Sequence, residues 1–115
     1  MKKYKLRLRT HFDSAHKLEL GYDSRCTNIH GHRWKVIIEI ISGKLNKDGM
    51  IVDFKRLKEI VDKLDHRYLN DMFTFNPTAE NISEYLYHKI KRETGFNAKV
   101  TIYESPDASI TYGNY

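Results

Sequence analysis

Cys26-Thr27-Asn28-Ile29-His30-Gly31-His32-Arg33-Trp34-Lys35-Val36-Ile37-Ile38-Glu39-Ile40-Ile41 is the stretch around which the chain is organised. Its second half is dense in β-branched and aromatic residues and reads as a strand from about His30 to Ile41. Side chains alternate faces along a strand, so His30 and His32 point the same way across a glycine that adds no bulk. Two imidazoles on one face make half of a zinc site. Cys26 lies outside the strand, in turn-like sequence with Asp23, Ser24, Thr27 and Asn28. It is either a further metal ligand or a nearby reactive thiol.

Upstream, residues 3–12 alternate basic and apolar side chains, which describes a half-buried strand continuing towards Leu18. Its apolar set (Leu6, Leu8, Phe12) is even-numbered, and His16 shares that parity. Trp34, Val36, Ile38 and Ile40 share parity with His30 and His32. Downstream, Asp53 caps a helix carrying Phe54, Leu57, Ile60, Val61 and Leu64 at helical spacing and ending near Asp65-His66. Asn76-Pro77 breaks the chain, Thr78 caps a second helix carrying Ile82, Tyr85, Leu86 and Ile90, and Gly95 stops it. Strands follow over residues 98–104 and 108–112, with Ser105-Pro106-Asp107 as the turn between them.

The order ββααββ predicts an α+β domain: a four-stranded antiparallel sheet with two helices on one face. The other face carries Lys3, Lys5, Arg7, Arg9, Arg33, Lys35 and Lys99. Val100 and Ile102 share parity with Glu104, so three histidines and a glutamate fall on the helix-covered face near strand ends. Such groups are costly beside a core unless bound or paired. The open sheet edges of so short a sheet argue for oligomerisation.

At 115 residues with a net charge of +5, the chain reads as one domain over 1–115. The charge suits either a solvated basic surface or an anionic small substrate such as a phosphate ester. No recognition helix, RNP motif or cysteine-paired finger is present, so no nucleic-acid partner is expected. No apolar run is long enough to span a bilayer. The charged start, Met1-Lys2-Lys3-Tyr4-Lys5, is not followed by the apolar region of a signal peptide. The single cysteine excludes an internal disulfide and fits a reducing compartment, so a cytoplasmic location is expected.

His16, His30 and His32 could form a three-histidine zinc site with an open fourth position, or be unrelated strand histidines. Asp65-His66 reads as an acid/base pair or as compensation of a helix dipole. Glu104 reads as an anchor for an amidine-like ring edge or as a salt-bridge partner. Glu80, with Thr78, fits the first turn of a helix. His11 and His88 read as ordinary surface residues.

Together, Phe12-Asp13-Ser14-Ala15-His16, Cys26-x-x-x-His30-Gly31-His32, Asp65-His66, Pro77-Thr78-Ala79-Glu80-Asn81 and Tyr103-Glu104-Ser105-Pro106 resemble the motifs of the 6-pyruvoyl-tetrahydropterin synthase family. They occur in that family's order and span nearly the whole chain. The three-residue spacing after Cys26 is similar to the 6-carboxytetrahydropterin synthase (QueD type) branch. The resemblance implies the tunnelling fold, whose element order is ββααββ, and zinc on His16, His30 and His32. It implies conversion of 7,8-dihydroneopterin triphosphate to 6-carboxytetrahydropterin, acetaldehyde and triphosphate, on the route to queuosine and related deazapurines. Cys26 would then be one base and His66, paired with Asp65, the second acid/base group. Glu104 would grip the pterin edge, helped by Thr78, the Ala79 backbone and Glu80. Trimers closed edge to edge into a barrel and stacked as a hexamer would follow, with active sites at subunit boundaries. The alternatives are a 6-pyruvoyl-tetrahydropterin synthase and, from another class, a zinc-stabilised binding domain without turnover.

Overall fold

Strands β1 (Tyr4–His16) and β2 (His30–Ser42) are each 13 residues long and pair antiparallel along their whole length, from Tyr4↔Ser42 to His16↔His30. That register brings the three histidines to one end of the pair. The computed structural model describes residues 3–114, so Met1 and Lys2 of the charged start, and Tyr115, lie outside the described residues.

Helix α1 (Phe54–Asp62) begins at Asp53, whose carboxylate accepts the Lys55 N–H at 2.9 Å. A two-residue strand β3 (Arg67–Tyr68) and a single helical turn α2 (Leu69–Met72) follow. Helix α3 (Ala79–Thr94) has Thr78 as its N-cap, accepting from Asn81 N–H at 3.1 Å. It ends at Gly95, whose φ of 81° lies in the left-handed region where a side chain is penalised. Strands β4 (Lys99–Ser105) and β5 (Ala108–Gly113) complete the sheet. None of the described helices is long and apolar enough to cross a membrane.

The strand order is β3-β1-β2-β4-β5. The sheet is therefore mixed and five-stranded, which corrects the expected four-stranded antiparallel sheet. The extra strand pairs parallel with Ser14 and Ala15 of β1 only. Two residues carry no periodic signal, so the sequence does not announce it. Ser14 makes the joint: its hydroxyl donates to the Leu64 carbonyl and accepts the Arg67 N–H at 3.2 Å. Beyond this contact β1 is open along residues 4–13, and β5 is the other open edge among the described residues.

The even-numbered faces of β1, β2 and β4 pack against the helices. Phe12, Trp34, Val36, Ile38, Ile40, Val100 and Ile102 are all fully buried there with Leu57, Leu64, Ile82, Leu86 and Ile90. Each such side chain contributes about 1.5–3 kcal/mol on leaving water. On the opposite face the basic charge is partly met: Lys5 pairs with Glu39 at 2.9 Å, and Arg33 grips Asp13 through two bonds of 2.9 and 3.1 Å.

Candidate metal centre

His16 ends β1 and His30 begins β2, with His32 two residues on, so strand pairing alone juxtaposes them. Their rings lie 4.5–5.3 Å apart between centroids, all in edge-to-face contact. Glu104, near the end of β4, joins them. The four side chains each present one ligand atom, and these atoms all lie within 4.8 Å of one another. The β4–β5 register shifts between Tyr103 and Ser105, yet Glu104 stays on the histidine face. The indole of Trp34 forms the floor, edge-on to His16 at 4.8 Å and to His32 at 5.3 Å, with its N–H donated to the Ser14 carbonyl.

Two backbone carbonyls orient the ligands. His16 donates Nδ1–H to the Pro77 carbonyl at 2.8 Å, and His30 donates Nδ1–H to the Asn28 carbonyl at 2.7 Å. A carbonyl only accepts, so both rings carry the proton on Nδ1 and turn a lone pair on Nε2 towards the cluster. Sequence reasoning missed these carbonyls and Trp34; a backbone acceptor leaves no residue-type signal.

The Nε2 atoms of His16 and His32 are buried and have no hydrogen-bond partner. Glu104 Oε1 lies 3.1 Å from His32 Nε2 and 3.7 Å from His16 Nε2, within ion-pair reach of either ring when that ring is protonated. Burial lowers the pKa of both His16 and His32, opposed in each by the Glu104 charge. Neutral imidazoles with orphaned, convergent lone pairs are the state a divalent cation requires, so this donor set fits zinc.

The Cys26 thiol is not in the cluster. Cys26 sits half-buried in a single 3-10 turn, Arg25–Thr27, whose N-cap Ser24 accepts the Cys26 N–H at 3.1 Å.

Asp65 and His66 stand on the other side of β1. Asp65 accepts the Asp13 N–H at 2.8 Å, and the His66 N–H donates to the Asp13 carbonyl at 2.7 Å. The other Asp65 oxygen receives His66 Nδ1–H at 2.8 Å. The Asp13 N–H, and then His66, hold the Asp65 carboxyl below its ordinary pKa. His66 is the one described non-glycine residue at positive φ, 56°, and its side chain is 82% exposed. Histidine is among the non-glycine residues that adopt this region most readily, and here it turns the chain from α1 into β3.

Thr78 follows Pro77, so the start of α3 borders the cluster through the His16 bond. Ala79 is buried there, while Glu80 is exposed on the first turn.

The sequence model of the 6-pyruvoyl tetrahydropterin synthase family matches residues 5–114. A Pyrococcus horikoshii protein provisionally named 6-carboxy-5,6,7,8-tetrahydropterin synthase is 38% identical over 127 residues, covering 83% of this chain and 80% of the relative. A dihydroneopterin monophosphate aldolase of Pyrococcus furiosus is 32% identical over 96 residues, covering 80% and 79%. The structure of a 6-pyruvoyl tetrahydropterin synthase from Caenorhabditis elegans superposes with a TM-score of 0.80 at 26% identity, over 100% of this chain and 98% of that one.

Proposed function

The chain belongs to the 6-pyruvoyl tetrahydropterin synthase family, and on that premise we propose that it is a zinc-dependent 6-carboxy-5,6,7,8-tetrahydropterin synthase. It is read as one domain over 1–115, a cytoplasmic lyase converting 7,8-dihydroneopterin triphosphate to 6-carboxytetrahydropterin, acetaldehyde and triphosphate for queuosine-type deazapurines. The observation that carries the reading is the pair of buried, unpartnered Nε2 atoms of His16 and His32 facing one point beside His30.

His16, His30 and His32 would hold the zinc, which when bound supplies a Lewis acid for the hydroxyls of the substrate side chain. The remaining chemistry belongs to the chain's own groups. Cys26, as thiolate, takes a proton from the substrate side chain. His66, with Nδ1 fixed by Asp65, exchanges protons through Nε2 and is the second acid/base group. Glu104 accepts N–H bonds from the pterin edge, and Thr78, the Ala79 backbone and Glu80 complete that pocket.

The exposure of His66 supports a site completed between subunits. Three copies joined β1 edge to β5 edge would close a barrel lined by the basic face, and two such trimers would make a hexamer. Light scattering at assay concentration checks this: a fully active monomer would refute both the barrel and the shared site.

Glu104 also supports a second reading. Its place beside the imidazoles suits a closed four-ligand zinc site without turnover. Glu104→Gln decides between them, because a ligand loss strips zinc, whereas a pterin anchor loss raises KM with zinc retained. The function itself is tested by mass analysis of products after incubation with dihydroneopterin triphosphate and, separately, with the monophosphate. Carboxytetrahydropterin with acetaldehyde from the triphosphate is expected; turnover of the monophosphate alone would move the chain to the aldolase.

A further inference from the structure

Strand β3 stops after two residues because the chain turns into α2, yet β1 does not end unsupported. Asn70, in α2, accepts the Lys17 N–H at 2.9 Å and donates to the Lys17 carbonyl at 2.9 Å. Asn76 does the same two residues on, accepting the Glu19 N–H at 3.0 Å and donating to the Glu19 carbonyl at 3.0 Å. A primary amide offers one acceptor and two donors in the plane of a peptide group. The two side chains therefore pair with alternate residues as a neighbouring strand would. Leu18, between them, sends its N–H the other way, to the Cys26 carbonyl at 2.7 Å. Cys26 is thus held through its carbonyl by Leu18 and through its N–H by Ser24. Asn76 is also tied to the metal centre from its other side. Its carbonyl accepts from Thr78 N–H and Asn81 Nδ2, and the next residue, Pro77, is the one that orients His16.

We propose that Asn70 and Asn76 are positioning residues: a pair of amide clamps that stand in for a missing strand, hold residues 17–19 extended, and through Leu18 fix Cys26 relative to His16 and His30. For turnover this rests on the reading of Cys26 as base. For the placement of the loop it rests on the hydrogen bonds alone. Asn70 holds the carbonyl of the Lys17–Leu18 peptide group, but neither asparagine bonds to the Leu18 N–H, which makes that N–H the reporter of transmission.

The test uses zinc-loaded full-length protein with Asn70→Ala and Asn76→Ala, each alone and each combined with Cys26→Ala. Hydrogen exchange at the Leu18 amide should quicken about fivefold or more in either single variant. Zinc content should stay at the wild-type level. Turnover should fall roughly 10- to 100-fold in kcat, the scale of a misplaced reacting group, with KM little changed. In the Cys26→Ala background the same substitutions should cost almost nothing more, since they act through the thiol. Unchanged Leu18 protection in both variants would overturn the clamp. Losses that add in full to that of Cys26→Ala would overturn its action through Cys26. If Asn76→Ala proves unstable, Asn70→Ala carries the same measurements from the half-buried α2 turn. A wild-type protein without turnover would sink the enzyme reading while Leu18 exchange still decides the clamp.

Discussion

Two histidine-bearing regions flank the end of β1, and they are built on opposite plans. The His16–His30–His32 group is sunk against Trp34, with His16 fully buried and two ring nitrogens left without partners. The Asp65–His66 pair has every orienting bond made and its imidazole 82% in solvent. One region gathers four possible ligand atoms within 4.8 Å of one another on a single chain. The other lacks something to face. Burial creates a demand that an ion can meet, whereas an exposed, pre-oriented acid/base group must wait for a surface to be brought to it.

The comparison is broken most forcefully by His32→Ala. Removing one of three imidazoles should abolish zinc binding, read by elemental analysis, and lower turnover by about three decades or more. Retained zinc would show that the two regions do not differ in kind. Next come Cys26→Ala and His66→Ala, which should keep zinc while turnover falls roughly two to four orders of magnitude. Mixing the two inactive variants after dissociation and reassembly sharpens the contrast. Activity returning to the mixture means that the dyad serves a neighbour's cluster; none returning means that each chain works alone.

A smaller effect separates the regions by pH in zinc-free protein. Folding lowers the pKa of His16 and His32 below the ordinary 6.5 through burial. Their contribution to stability is therefore complete above pH 6.5 and is lost as pH falls through the lowered folded values. Asp65 also has a lowered folded pKa, so its contribution is present above the ordinary 3.8 and is lost only as pH falls through the depressed value. Urea melts at stepped pH should show the histidine decline first, and zinc, which needs the same imidazoles deprotonated, should raise stability at neutral pH and deepen that decline. A single transition near the carboxylate range would remove the distinction. The smallest expected effect is Thr78→Ala, about 1 kcal/mol of stability by loss of the helix cap, with zinc content unchanged.

Much of this architecture is legible in residue order. Asp53, Thr78 and Gly95 mark three helix ends because caps are local chemistry, decided within one turn. The parity of Leu6, Phe12 and His16, and of Trp34 with His30 and His32, assigns faces because a strand repeats every two residues. Strand β3, the turn α2 and the 3-10 turn at Cys26 are not legible. Each is too short for a period, and each exists because a distant group holds it: Ser14 for Arg67, Lys17 for Asn70, Leu18 for Cys26.

The sequence by itself thus determined which residues share a face, where the helices begin, and which motifs the chain carries, since all of these follow from spacing along the backbone. Strand parity put Glu104 on the histidine face, but only the tertiary structure decided that it comes within 4.8 Å of the imidazoles while Cys26 does not join them, that Pro77 and Asn28 aim them, and that His66 looks outward. Those outcomes depend on hydrogen bonds between residues as many as 61 positions apart, and on the burial that leaves a lone pair without water. Neither is written in the order of residue types.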